Sequence, residues 1–129
     1  MKNNLRLISM KEAAEQGDAE AQFILGSYYY EGKGGSVDKA EAVKCFLKSA
    51  EQGHTEAQFA LGRCHDNGEG VVRDAVEAYK WFLLAGTYGN EPTGVLRGRL
   101  VAKMTAEQIA EARERVKTWR QEKARSRAI

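Results

Sequence analysis

The sequence predicts an all-α chain: a short α-solenoid of antiparallel helix pairs, with about seven helices in one domain. Three observations lead there. The segment AEQGDAEAQFILG at 14–26 recurs as AEQGHTEAQFALG at 50–62, and the match continues without a gap at a constant offset of 36, with 18 of the 36 positions from 14 to 49 identical. A period between about 20 and 50 residues marks a solenoid, in which each unit buries its apolar face only against the next. Within each unit the apolar residues recur at three- and four-residue spacing, the period of a helix. Asp and Gly punctuate these stripes where helices start and stop.

The chain opens with a leading helix within 1–17, whose Leu5, Ile8 and Ala13 are expected to cover the first repeat. Repeat one (18–53) and repeat two (54–89) each hold an A helix, about 19–31 and 55–67, and a B helix, about 39–52 and 75–88. In the A helices the stripe is Ala21, Leu25 and Tyr28/Tyr29, then Ala57, Leu61 and Cys64/His65. Asp38 and Asp74 precede the B-helix stripes Ala42/Phe46/Leu47 and Ala78/Phe82/Leu83. With Glu41 and Glu77 at the third helical position, each start has an N-cap acceptor and a carboxylate where free N–H groups and the helix dipole favour them. Gly17, Gly53 and Gly89 stand just past B-type helices, where a left-handed residue satisfies the last carbonyls.

Residues 90–129 read as C-terminal capping helices with a basic tail. Asn90 caps a helix running to about Lys103, and Pro92 is tolerated in its first turn because its missing N–H costs no hydrogen bond there. Thr105 and Gln108 form a capping box, with Met104 and Ile109 placed as a hydrophobic staple, for a final helix at about 106–125. Its stripe of Ile109, Ala112, Val116 and Trp119 is narrow, so one side packs and the rest is wet.

At 129 residues the chain is long enough to bury roughly two thirds of its unfolded surface, so no metal or disulfide staple is required. No apolar stretch approaches the roughly 18 residues that span a bilayer. The amino terminus lacks the apolar core of a secretory signal, which leaves the cytoplasm as the expected compartment. Cys45 and Cys64 fit buried residues in a reducing compartment better than a disulfide framework. Charge is uneven: residues 1–94 carry 10 basic and 14 acidic side chains, and residues 95–129 carry 10 basic and 4 acidic.

Taken together, these residues resemble the Sel-one-like repeat (SLR) family, relatives of the tetratricopeptide solenoids. The motif is present twice: Ala21, Leu25, Gly26, Tyr29, Gly32, Gly34, Asp38, Ala42, Phe46, Ala50 and Gly53, then Ala57, Leu61, Gly62, Gly68, Gly70, Asp74, Ala78, Phe82 and Gly89. His65 stands at the usual aromatic position and Gly86 at the usual alanine, two departures in the second unit. The resemblance implies a right-handed superhelix whose A helices line a concave side and bind protein partners. Cysteine-rich secreted relatives pair cysteines at a seven-residue gap, which Cys45 and Cys64 lack.

If Ala21, Leu25 and Tyr29 face the B helix, then Glu20, Phe23, Ile24, Ser27, Tyr30 and Glu31 point the other way. Phe23 and Phe59 are identical between units, which suggests structural duty. Ser27/Arg63, Tyr30/Asp66 and Glu31/Asn67 diverge and are the better partner contacts, with Arg99 continuing the row at the same offset from Arg63. The plainer alternative is a solvated helix face. Cys64 and His65 point about 100° apart and cannot easily share one ligand or one proton, so core packing is favoured over a metal or a nucleophile. His54 occupies a helix start, as do Asp18 and Asn90, which favours capping. EGKGG at 31–35 and NGEG at 67–70 lack the spacing of a phosphate cradle and read as turns.

No catalytic constellation, metal site or cofactor is expected. The basic tail, from Arg113 to Arg127, reads first as a solvated face, with an acidic partner or a contact with the acidic body as alternatives and nucleic acid a lesser one. The expected function is a non-enzymatic adaptor, monomer or weak dimer, holding a peptide, helix or loop of another protein on its A-helix face. Two other classes stay open: an inhibitor or immunity-type protein that neutralises one toxin or enzyme, and a small hydrolase.

Overall fold

A computed structural model describes the backbone of residues 2–86 and 91–128, and side chains from 5 to 86 and from 94 to 128. Among these residues every regular element is a helix: α1 (Lys2–Glu15), α2 (Ala19–Glu31), α3 (Lys39–Glu51), α4 (Thr55–Asn67), α5 (Ala75–Ala85), α6 (Glu91–Val101) and α7 (Ala106–Ala128). Each helix from α1 to α5 packs on the next, while α6 and α7 both pack on α5. The chain is an all-α solenoid.

The starts of five helices are fixed locally. Asp18, Asp38 and Asp74 accept hydrogen bonds from the N–H groups of Ala21 (2.9 Å), Glu41 (3.0 Å) and Glu77 (3.1 Å). His54 does the same work through Nδ1, which accepts from Ala57 N–H at 3.2 Å, while its ring stacks on Phe23. Gly17 and Gly53 close α1 and α3 at φ +95° and +91°. At α7 the capping box is reciprocal: Gln108 N–H donates to Thr105 Oγ1 at 3.1 Å, and Thr105 N–H donates to Gln108 Oε1 at 2.9 Å. Each such cap stabilises its helix by about 1 kcal/mol.

Inside each unit a glycine of the A helix lies under a phenylalanine of the B helix. A Cβ on Gly26 would stand 2.7 Å from two ring carbons of Phe46 and 3.2 Å from the Ala42 carbonyl oxygen. One on Gly62 would stand 2.6 Å from the ring of Phe82 and 3.2 Å from the Ala78 oxygen. The alanines and rings at these contacts are buried. Hydrogen atoms at the two glycines let the helices approach until the ring covers bare backbone.

Between the units Ala42, Val43 and Phe46 share one buried cluster with Leu61, Cys64 and Trp81, and polar bonds tie neighbouring helices. Buried Gln22 donates to the Ala14 carbonyl at 3.1 Å, and Gln58 repeats this on Ala50 at 3.2 Å. Ser49, also buried, donates to the Ala19 carbonyl at 2.7 Å. The Ala14 and Ala50 carbonyls each accept a second bond, from Gly17 N–H at 3.0 Å and Gly53 N–H at 2.9 Å, so the glutamine amides use the remaining lone pair at these helix ends. Helix α7 is then pinned across α5 and α3. Arg115 Nη1 donates to Glu77 at 2.7 Å, Trp119 Nε1 donates to Glu51 at 3.1 Å, and Lys123 pairs with Glu51 at 3.0 Å. Part of the basic tail therefore contacts the acidic body of its own chain.

Three expectations need correction. Leu5 and Ile8 do not cover the first repeat; they are 66% and 52% exposed, and Leu7, Met10, Ala13 and Ala14 face α2 instead. Ala14 and Gly17 hold the register of Ala50 and Gly53, and that register turns the other stripe inward. Helix α5 stops at Ala85, three residues short of its expected end, where Gly86 takes φ +63° and ψ −125°. Glycine at the usual alanine position ends the helix because it can adopt a backbone that alanine avoids. Helix α6 ends at Val101 and α7 runs on to Ala128. The expected cap at Asn90 and closing glycine at Gly89 lie outside the described residues.

Replacing Gly62 by Ala will lower stability by about 1–3 kcal/mol, because the overlap with Phe82 outweighs alanine's better helix propensity. Urea unfolding should show a lower midpoint with an unchanged slope, and Phe82→Leu in the same chain should cost less than the two changes summed.

Candidate functional site

The second face of the A helices forms two hollows. Phe23, Ser27, Tyr30 and Glu31 of α2 face Glu56, Phe59, Ala60, Arg63 and Cys64 of α4 across a hollow of about 360 Å³, with Phe46 of α3 beneath. A second hollow of about 260 Å³ is lined by Asp66, Asn67, Arg73, Leu96, Arg99, Leu100 and Lys103, between the end of α4 and α6. The seven expected contact residues thus divide in two. Ser27, Tyr30, Glu31 and Arg63 share the first hollow, and Asp66, Asn67 and Arg99 share the second.

The floor of the first hollow is aromatic and rigidly backed. Phe23 packs on Phe46 with ring centroids 5.8 Å apart, and Phe59 packs on Phe82 at 5.9 Å. Since Phe46 and Phe82 are the rings held by the two glycines, the close helix approach also sets the height of the floor. Phe23 and Phe59 therefore serve both the core and the surface. At the rim, Glu31 pairs with Lys33 at 3.2 Å, and the Arg63 guanidinium lies 5.9 Å from the centre of the Phe59 ring. Ser27 Oγ donates to the Phe23 carbonyl at 3.1 Å.

Tyr30 is more than a contact residue. Its hydroxyl donates to the Glu69 carboxylate, 2.9 and 3.0 Å from its two oxygens, and Lys39 lies over its ring while pairing with the same carboxylate. Asn67 Nδ2 adds a further donor to Glu69 at 3.3 Å. The Lys39 bond, aided by those from Tyr30 and Asn67, holds the Glu69 carboxyl below its usual range, while burial and the Glu69 bond push the Tyr30 phenol up. Sequence reasoning missed Glu69. Its only mark was divergence, since the equivalent residue in the first unit is Lys33. The next residue, Gly70, adopts φ +76°, and a Cβ there would collide with the Lys39 carbonyl. The loop therefore lies directly on the start of α3 and carries Glu69 to Lys39.

In the second hollow, Arg73 donates to the Asp66 carbonyl at 2.8 Å and pairs with its carboxylate at 3.5 Å. Arg99 is exposed on α6. Burial pushes the Cys64 thiol up to about 11, which keeps it protonated at neutral pH, and burial lowers the His65 imidazole. Both cysteines are free and buried. Among the described residues no group of three or more His, Cys, Asp or Glu is placed to hold a metal ion, and no helix is long and apolar enough to cross a membrane.

The Sel1 repeat family matches the chain over residues 19–54 and 55–89. Among the solved structures that share the fold are two at 35% identity. One is c5321, a protective antigen present in uropathogenic Escherichia coli strains and displaying an SLR fold, with a TM-score of 0.80 and 35% identity over 88% of this chain. The other is a Sel1 repeat protein from Oxalobacter formigenes, with a TM-score of 0.67 and 35% identity over 70% of this chain. The chain spans only 24% and 26% of the lengths of those two proteins. The comparison with curated proteins finds no match.

Replacing Glu69 by Gln will cost about 1 kcal/mol at neutral pH, because the charge-assisted bonds to Lys39 and Tyr30 weaken. A carboxyl with a lowered folded pKa stabilises above its unfolded value and loses that effect as pH falls through the folded value. The difference between variant and wild type in urea melts should therefore be complete at pH 7, shrink below the usual Glu value of 4.5, and vanish in stronger acid.

Proposed function

The chain belongs to the Sel1 repeat family, whose members are generally protein-interaction modules, and from that premise we propose that it is a non-catalytic adaptor holding a partner protein in the hollow between α2 and α4. The observation that carries this is the pairing of an aromatic floor, Phe23, Phe46 and Phe59, with a rim of mixed charge, Glu31, Glu56 and Arg63. At about 360 Å³ the hollow suits one or two anchor side chains from a peptide, helix or loop. An apolar centre ringed by polar groups is where interface energy concentrates once a partner excludes water.

The floor repeats while the rim varies. Phe23 and Phe59 are identical, whereas Ser27, Tyr30 and Glu31 become Arg63, Asp66 and Asn67 in the second unit. An interaction module needs both properties: a constant frame that folds and a variable edge that selects. Asp66, Asn67 and Arg99 extend the same surface towards α6, so a longer partner segment engages both hollows.

The test is affinity capture and mass spectrometry on the wild-type chain and on Ser27→Glu with Arg63→Ala, followed by titration of any purified partner. Truncating Arg63 should weaken Kd by roughly 10- to 30-fold, the range of an interface anchor worth about 1.4–2 kcal/mol. Equal recovery of the same proteins by both chains would place the binding face elsewhere.

A further inference from the structure

A hollow of different chemistry, separate from the two on the A-helix face, lies on the B-helix side of the molecule. Leu83 of α5 and Val116 of α7 form its floor, Arg113, Lys117, Arg120 and Gln121 of α7 line its wall, and its volume is about 430 Å³. Apart from Arg125 and Arg127 in its last turn, the basic side chains of α7 fall into two sets. Arg115 and Lys123 turn to the body and are neutralised by Glu77, Glu111 and Glu51. Arg113, Lys117 and Arg120 are exposed, and none has an ion-pair partner among the described residues. Glu77 and Glu51 of the body are thus taken by the inner cations, and the outer row is left over.

We propose that this hollow is a docking surface for an acidic amphipathic segment of another protein, with an apolar side chain on Leu83 and Val116 between carboxylates paired to Arg113, Lys117 and Arg120. The spacing supports it. Four residues along a helix advance about 6 Å and three about 4.5 Å, so the cations stand in one row at the intervals of carboxylates placed three or four apart on a partner helix. The floor decides the class of partner. A nucleic acid would engage the cations but leave Leu83 and Val116 bare, and it would find no free aromatic face here, since Trp119 is held edge-on against Trp81 and bonded to Glu51. A lipid surface is entered by protruding apolar groups, and here the apolar groups lie at the bottom of a concavity.

The probe is a fluorescein-labelled helical peptide repeating Glu-Glu-Leu-Leu, titrated by anisotropy against the full chain. The comparisons are Arg113→Gln with Lys117→Gln and Arg120→Gln, and separately Arg63→Ala. Because the three changed residues are exposed, an unaltered thermal melt confirms that the variant folds. The expected result is binding that weakens at least tenfold in the triple variant, weakens similarly when Ser replaces Leu in the peptide, and is unchanged by Arg63→Ala. That last arm separates this surface from the groove between α2 and α4. The proposal is overturned if the triple variant binds equally well, or if no binding appears up to about 1 mM peptide, a free energy of only about −4.1 kcal/mol. It is equally overturned if the Glu-Ser peptide or a single-stranded DNA oligonucleotide binds as tightly, or if only phosphatidylserine vesicles bind.

Discussion

A hydrogen atom where every other residue carries a carbon sets the geometry of this molecule. Gly26 and Gly62 let the A helix of each unit settle onto a phenylalanine ring of its B helix, with less room than a methyl group would need. Close packing gives the pair its core, since a ring over bare backbone fills space that two ordinary helices would leave as a void. The same approach lifts Phe46 and Phe82 against Phe23 and Phe59, so the floor of the A-helix groove is a by-product of the contact that folds the unit.

Because each unit buries its faces only against its neighbours, the inter-unit fixings carry the rest of the order. The shared ones are polar and fall on identical residues: Gln22 and Gln58 each reach back to the end of the preceding helix. The unshared ones use residues in which the units differ. Tyr30, Lys39 and Glu69 join a helix of the first unit to a loop of the second, and only Tyr30 drew notice from divergence. Divergence between copies therefore marks two kinds of residue, those that meet a partner and those that couple unlike neighbours. Sequence spacing does not separate them.

Helix α7 ends the stack by a different principle. It does not repeat the A–B pairing; it lies on α5 and reaches α3, trading the Gly–Phe seat for Trp119 against Trp81 and for ion pairs to Glu77 and Glu51. Ion pairs of this exposure contribute little each, and the apolar side chains α7 buries are Ala112 and Val116. The outer cations remain available.

The sequence by itself determined where the helices lie and how α2 to α5 and α7 start. A 36-residue echo, Asp and His at the starts, Gly at the stops and a Thr–Gln capping box are local signals, and the bounds of α2 and α4 follow from them because helix ends are satisfied by residues three or four positions away. It also placed Ser27, Tyr30, Glu31 and Arg63 on one surface, since repeats at a fixed offset stack in register. Tertiary structure decided what periodicity leaves open. Which of two apolar stripes on α1 faces inward, how Glu69 crosses to Lys39, and which cations of α7 find carboxylates all depend on contacts between residues distant in the chain. Such contacts are fixed by shape and charge across a packed interface, and no spacing along one helix encodes its neighbour's position.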